Sequence, residues 1–294
     1  MKNLLVNIFK TLFFFDLALI VISLIPDLKT DNPMKLLLWH EGMPLAVVVF
    51  LTVFFLIFVE KRKLHLYQKK GKFKSSLYGL LIGIAIPLVI LSVMWIFKGF
   101  KITGFNKVEE IYYYILAILF NSMAGELLIR GYLFKIYQKH QGFIFATVFS
   151  TALYLSMNFH IFKLSKMYIA NVILLNIFMC CVTNKAKGPF NITARFAYSF
   201  INGFILGNSM LSEEFPVWGK VVFSGKKLIN GGKYQIEGSI ITTVVLSALI
   251  FLMLNKKYNL LQYLKKENLK RYLLNIKEFF ISIGKMAKRS FSFR

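Results

Sequence analysis

The sequence predicts an all-α integral membrane protein of about eight transmembrane helices, followed by a basic amphipathic tail. Hydrophobic residues make up 57% of the 294 residues, and the mean hydropathy is +0.60. The apolar residues gather in runs close to or above the length that a helix needs to cross a bilayer. The eight runs cover residues 8–25, 43–59, 77–97, 111–134, 142–160, 167–182, 189–211 and 239–254. We therefore expect a membrane domain over residues 1–254 and a tail over residues 255–294.

Features within the runs support their assignment as helices. The first run ends in Ile25-Pro26-Asp27 instead of a small-x-small cleavage site, so we interpret it as a retained helix. The third run carries Gly79 and Gly83, and the seventh carries Gly203 and Gly207. Small residues four positions apart let membrane helices approach closely, so both pairs predict packing faces. The sixth and eighth runs are at the short end for a span.

The net charge of +24 has a topological explanation. With a cytoplasmic N-terminus and eight spans, about two-thirds of the 37 Lys and Arg residues fall on the inner side, and most acidic residues fall outside. This division predicts that both termini are cytoplasmic. The excess of Lys over Arg, with abundant Asn, Ile and Phe, is typical of an AT-rich bacterial genome. We therefore expect a multi-pass protein of a bacterial cell membrane.

The basic loop over residues 60–76 and the tail over residues 255–294 predict contact with anionic lipids of the inner leaflet, and no nucleic acid. In the tail, apolar residues recur at helical intervals among the lysines, which is typical of an amphipathic helix on a membrane surface. A docking site for a partner protein is the alternative for the tail.

The charge division gives a first testable prediction. Cysteines introduced at Lys70 and Lys226 should react with a membrane-impermeant reagent from opposite faces, because the first position is predicted inside and the second outside. Labelling of intact cells and of inverted vesicles measures this. Labelling of both positions from outside would contradict the eight-helix topology.

One pair of charges lies within the fourth apolar run. Glu126 and Arg130 are one helical turn apart, so each is the other's first candidate partner. Charged residues at membrane depth are costly and mark a functional site by default. The alternative is that the pair only ties helices together.

Four segments carry short motifs in a fixed order along the chain. They are Glu126 to Phe134, Ser150 to Asn158, Ala194 to Gly203 and Ile229 to Ser239. In order and spacing they resemble the CAAX protease and bacteriocin-processing family of intramembrane proteases, also called Abi. The first segment resembles the family's Glu-Glu-x-x-x-Arg signature followed by Gly-Tyr-Leu, the second its Phe-x-x-x-His, the third its His-x-x-x-Asn, and the fourth a Gly-Gly loop before the last helix. The resemblance covers roughly residues 77–254 and implies a CAAX-protease-like helix bundle.

The resemblance also implies which residues form the site. In the family, the first Glu activates a water molecule, two His residues assist it and the Asn helps to hold the oxyanion. Tyr154 replaces the Phe of the second signature, whereas Glu126 and Arg130 are retained from the first. The four catalytic positions are held by Gly125, Asn158, Arg195 and Ser199.

These replacements leave no catalytic residue intact. Gly125 has no side chain, Asn158 cannot exchange a proton near neutral pH, and a guanidinium such as Arg195 stays protonated. Ser199 alone could still donate a hydrogen bond to an oxyanion. Glu126 cannot take the place of residue 125, because successive residues on a helix point about 100° apart.

No metal or cofactor is predicted. The four histidines have no metal-ligand spacing. Cys180 and Cys181 are adjacent, which is poor geometry for a structural disulfide, so we interpret them as small apolar fillers.

The residues and the resemblance together favour a non-catalytic pseudoprotease. Its cavity, with Glu126, Arg130, Tyr154, Asn158, Arg195 and Ser199, would bind a hydrophobic peptide, a transmembrane segment or a partner membrane or envelope enzyme. Regulation, scaffolding and bacteriocin immunity all fit this description. Two alternatives stay open: an active CAAX-type endopeptidase with a rearranged site, and a transporter or lipid-handling protein.

Overall fold

The computed structural model describes residues 2–61, 72–157, 165–185, 189–207 and 217–258. The chain forms two compact units, residues 1–247 and residues 248–294, and the second is described only over the end of a helix. Three features of the sequence analysis lie outside the described residues. They are Asn158, the basic loop around Lys70, and the tail beyond residue 258.

Each of the eight apolar runs falls on a helix, and the structure is mostly helical. The α-helices of the described residues are α1 Lys2–Ser23, α2 Pro33–Phe54, α3 Lys72–Ile96, α4 Ile111–Glu126, α5 Phe134–His140, α6 Phe143–Met157, α7 Lys166–Lys185, α8 Phe190–Ser199, α9 Lys227–Asn230 and α10 Ile240–Tyr258. Helix α2 continues as a π-helical segment, Phe55–Val59. A second π-helical segment, Leu127–Leu133, joins α4 to α5, and a third, Phe200–Ile205, continues α8.

Six of these helical stretches are long and apolar enough to cross a membrane, which confirms the prediction of a membrane protein with transmembrane helices. The stretches are Leu5–Ser23, Pro33–Val59, Phe73–Ile96, Ile111–His140, Lys166–Asn184 and Gly232–Asn255. Helix α6 is apolar and is described over 15 residues. The sixth and eighth runs, which the sequence analysis placed at the short end for a span, lie on two of the six long stretches, Lys166–Asn184 and Gly232–Asn255. A count of eight spans stays a prediction.

A two-stranded sheet is an addition that the sequence analysis did not predict. Strand β1, Phe100–Phe105, pairs antiparallel with β2, Gly219–Phe223, with a register shift between Ile102 and Gly104. Both strands lie in segments that were interpreted as loops on the same side of the membrane. The strands are only five or six residues long and far apart in the chain, so hydropathy runs do not reveal them.

Contacts between connecting segments show which helix ends lie together. Lys10 Nζ, near the start of α1, lies 3.5 Å from Glu60 Oε1, just after α2. At the opposite end of α2, Asn32 Nδ2 donates to Glu110 Oε2 at 2.7 Å, just before α4. The path of α1 and α2 is therefore antiparallel, as alternating spans require. The orientation of these ends relative to the cytoplasm stays a prediction.

The apolar core around the charged segment is aromatic. Phe14 of α1 lies with its ring centroid 4.5 Å from that of Tyr132 and 5.0 Å from that of Phe55. Leu128 and Ile129, on either side of these rings in the same cluster, are fully buried. This packing surrounds the segment that carries Glu126 and Arg130 with apolar side chains.

Helices α3 and α8 approach closely through the predicted glycine pair. A Cβ atom on Gly79 would lie 2.4 Å from the Phe190 carbonyl oxygen, and one on Gly83 would lie 2.3 Å from the Ala194 carbonyl oxygen. The packing face of Gly79 and Gly83 is thus confirmed. The second pair is wrong as a helix-packing face, because Gly207 has a φ of +63° and packs against Val217.

We expect Gly83→Val to lower the thermal stability of the protein in detergent. The new side chain would meet backbone of α8, which cannot move without shifting the helix, and overpacking of this kind costs about 1–3 kcal/mol. Ala85→Val is the matched control, because Ala85 is exposed on the same helix. Equal melting temperatures for the two variants would contradict the close contact.

Candidate functional site

Glu126 and Arg130 form a buried ion pair. Arg130 Nη1 contacts Glu126 Oε1, and the side chains are only 2% and 1% exposed for Arg130 and Glu126. Glu126 is the last residue of α4, and Arg130 lies within the π-helical segment that follows. Segments of this type are rare and often occur at functional sites. The pairing predicted from the one-turn spacing is confirmed.

Arg130 also connects this segment to α7. Its Nη2 atom donates to Asn176 Oδ1 at 2.5 Å and lies 3.5 Å from the Asn176 carbonyl oxygen. The Asn176 amide in turn donates to the Val172 carbonyl oxygen at 3.2 Å. These contacts agree with the interpretation of the pair as a tie between helices.

Arg195 of α8 reaches the same carboxylate from the other side. Its Nη1 atom lies 3.7 Å from Glu126 Oε1, and its Nη2 donates to the Tyr154 hydroxyl at 3.2 Å. The guanidinium carbon is 5.2 Å from the centroid of the Tyr154 ring, which adds a cation–π contact. The Arg195 side chain is 20% exposed, so it is the accessible cation of the cluster.

Gly125 provides the space that this guanidinium occupies. A Cβ atom at residue 125 would lie 3.4 Å from Arg195 Cζ and 3.4 Å from Nη1. A side chain longer than a methyl group at this position would have to occupy the space that the Arg195 guanidinium fills. Gly125 and Arg195, two of the replaced catalytic positions, therefore complement each other in shape.

The structure brings together five of the seven predicted site residues: Gly125, Glu126, Arg130, Tyr154 and Arg195. Ser199 is one helical turn from Arg195 but lines a separate narrow cleft beside α2 and α4. Asn158 is outside the described residues. The cleft is lined by Leu37, Glu41, Tyr114, Ala117, Ile118, Asn121 and Ser199.

Glu41 is a charged residue of this cleft that the sequence analysis missed. It accepts a hydrogen bond of 2.8 Å from Asn121 Nδ2 and interacts electrostatically with Arg195. Asn32 and Pro33 mark the start of the helix that carries Glu41, and both can be read from the sequence. The Asn32 side chain accepts from backbone N–H groups of the first turn, and Pro33 is the first helical residue. This start signal places Glu41 inside α2, whereas the apolar run begins only at residue 43.

A third carboxylate, Glu237, comes from the loop that resembles the family's Gly-Gly segment. Asn202 Nδ2 lies 3.4 Å from Glu237 Oε1. The loop is fixed to α7, because Asn171 Nδ2 donates to the carbonyl oxygens of Glu237 at 2.8 Å and Ser239 at 2.9 Å. Gly231 permits the turn: its φ is +76°, and a Cβ atom there would lie 1.6 Å from the Gln235 carbonyl oxygen.

The two carboxylate oxygens of Glu126 have different surroundings. Glu126 Oε1 is shared by two guanidinium groups, while Oε2 is buried and has no hydrogen-bond partner among the described residues. Within the described part of the chain, no three His, Cys, Asp or Glu side chains form a group that could hold a metal ion. Cys180 and Cys181 are buried, as expected of small apolar fillers.

Comparison of the chain with protein-family models, with curated proteins and with solved structures gives no match.

A double-mutant cycle tests the shared carboxylate. Glu126→Gln should destabilise the protein by about 3–5 kcal/mol, because it leaves Arg130 and Arg195 without their buried counter-charge. Adding Arg130→Gln should recover more of the loss than adding Arg195→Gln, since Arg130 is closer and less exposed. Thermal unfolding in detergent measures each variant.

The control for this cycle is Glu109→Gln. Glu109 pairs with Lys107 at 3.2 Å, but both side chains are largely exposed. This variant should have the same melting temperature as the parent protein. Strict additivity of Glu126→Gln with both arginine variants would contradict the shared contact.

Proposed function

We propose that the chain is a non-catalytic member of the CAAX protease and bacteriocin-processing family, with an eight-helix bundle of that type. The observation that carries the proposal is the guanidinium of Arg195, which lies beside Gly125 and between Glu126 and Tyr154. These residues come from three of the four segments that resemble the family signatures. Their convergence on one guanidinium supports a common ancestry of the site.

Loss of peptidase activity follows from proton chemistry. Peptide hydrolysis needs a group to activate water and a group to protonate the leaving amine. Gly125 offers no group, and Arg195 keeps its proton. The Oε1 atom of Glu126 contacts two arginines, so its lone pairs already serve the ion pairs that hold the helices together.

The proposed role is to bind a hydrophobic peptide, a transmembrane segment or a partner membrane or envelope enzyme. The cleft beside α2, α4 and α8 supports this role, because its apolar wall carries three polar side chains, Glu41, Asn121 and Ser199. Apolar sites with a few placed polar groups are typical of ligand binding. Glu126 Oε2, which has no hydrogen-bond partner among the described residues, also favours a binding role over a simple tie between helices.

The setting belongs to the same proposal. We infer a bacterial cell membrane, with both termini cytoplasmic and the basic segments on anionic lipid. In that setting the protein would act as a regulator, a scaffold or a bacteriocin-immunity protein.

Purified protein should bind a hydrophobic transmembrane peptide without cleaving it. We expect no turnover of prenylated CAAX peptides or of a transmembrane model peptide above background. A photo-crosslinking amino acid at Leu37, which lines the cleft, should capture the intact transmembrane peptide. Mass spectrometry reads both the capture and the integrity of the peptide.

The control position is Val89 on α3, which is exposed and away from the cleft lining. Equal capture at Leu37 and Val89 would contradict a binding cleft. Turnover that is abolished by Glu126→Gln in a folded protein would instead identify an active endopeptidase with Glu126 as its base.

A further inference from the structure

Asp16 is an exposed carboxylate on a helix that is long and apolar enough to cross a membrane. It lies in the stretch Leu5–Ser23, seven residues before its end, or about 10 Å along the helix axis. The side chain is exposed and makes no hydrogen bond or ion pair with the described part of the chain. The helices that the structure describes leave this carboxylate uncovered.

A bare aspartate at this depth is expensive in lipid, so it should have a partner. Its side chain is too short to reach the interface as lysine and arginine side chains do. The nearest cation of α1, Lys10, is already 3.5 Å from Glu60. The described residues of this chain therefore supply no counter-charge for Asp16.

The face around Asp16 has the form of a helix-docking surface. Phe9, Phe13, Asp16 and Ile20 recur at intervals of three or four residues, and the three apolar side chains are 72%, 54% and 57% exposed. The rings of Phe9 and Phe13 are stacked with centroids 6.4 Å apart. We call these four residues the α1 face.

We propose that the α1 face docks a transmembrane helix of another membrane protein that carries a lysine or arginine at the depth of Asp16. Charge complementarity selects this occupant, because the carboxylate would pair with the cation and both would avoid lipid. A symmetric contact between the α1 faces of two copies would instead oppose two like charges. This inference is independent of the proposed function and concerns a different surface.

The test uses the full chain in vesicles of phosphatidylcholine with a minor share of phosphatidylglycerol. The probes are leucine-alanine helices of about 20 residues with lysine, glutamate or leucine at the centre. A donor dye on Lys29→Cys, an exposed loop position, and an acceptor on the peptide report association by energy transfer. The buried native cysteines should not compete for the dye.

We expect the lysine peptide to bind about fivefold or more tightly than the leucine peptide, and the glutamate peptide to show no gain. Asp16→Leu should abolish the preference, Asp16→Glu should keep it, and Asp31→Leu, at an exposed loop acid, should not change it. The melting temperature of Asp16→Leu should equal that of the parent, since Asp16 has no described partner to lose.

Three results would overturn the proposal. The first is equal binding of the lysine and leucine peptides. The second is a lysine preference that survives Asp16→Leu. The third is energy transfer between two labelled copies of the protein that depends on Asp16, which would assign the α1 face to self-association.

Discussion

The buried ion pairs of the Glu126 carboxylate hold together the helical segments that carry Arg130 and Arg195. Its Oε1 atom meets Arg130 in the following segment and lies 3.7 Å from Nη1 of Arg195 on α8. Arg130 extends the network to Asn176 on α7. An apolar interior penalises each charge that loses its partner, so one carboxylate restrains three elements at once. The close packing of α3 on α8 then fixes the position from which Arg195 approaches.

The helices could be predicted from the sequence because the hydropathy of a run reports directly on its ability to span lipid. The pair of Glu126 and Arg130 could be predicted because helical spacing alone brings such residues together. Spacing along the chain could not predict that Arg195 lies beside Gly125, because the two residues are on different helices. Both positions were singled out by the resemblance of their segments to the signatures of a protein family. Tyr154, a third residue from those segments, also contacts Arg195.

Other features depend on information that runs and spacings do not hold. Glu41 was missed because counting apolar residues ignores a cap, and the cap at Asn32 begins α2 ten residues before the run does. The strands pair residues as distant as Phe100 and Phe223, so their register depends on where two helices end. The π-helical segments were not predicted either, because hydropathy does not distinguish them from the α-helices that they adjoin.

The small sheet links the end of α3 to the segment that continues α8. Strand β1 follows α3 closely, and the Trp218 N–H, just before β2, donates at 2.9 Å to the carbonyl oxygen of Phe204 in the π-helical segment after α8. Gly79 and Gly83 bring α3 against Phe190 and Ala194 at the other end of the same helix. The helix that carries Arg195 is therefore held against α3 within the bundle and, through the two strands, beyond its last turn.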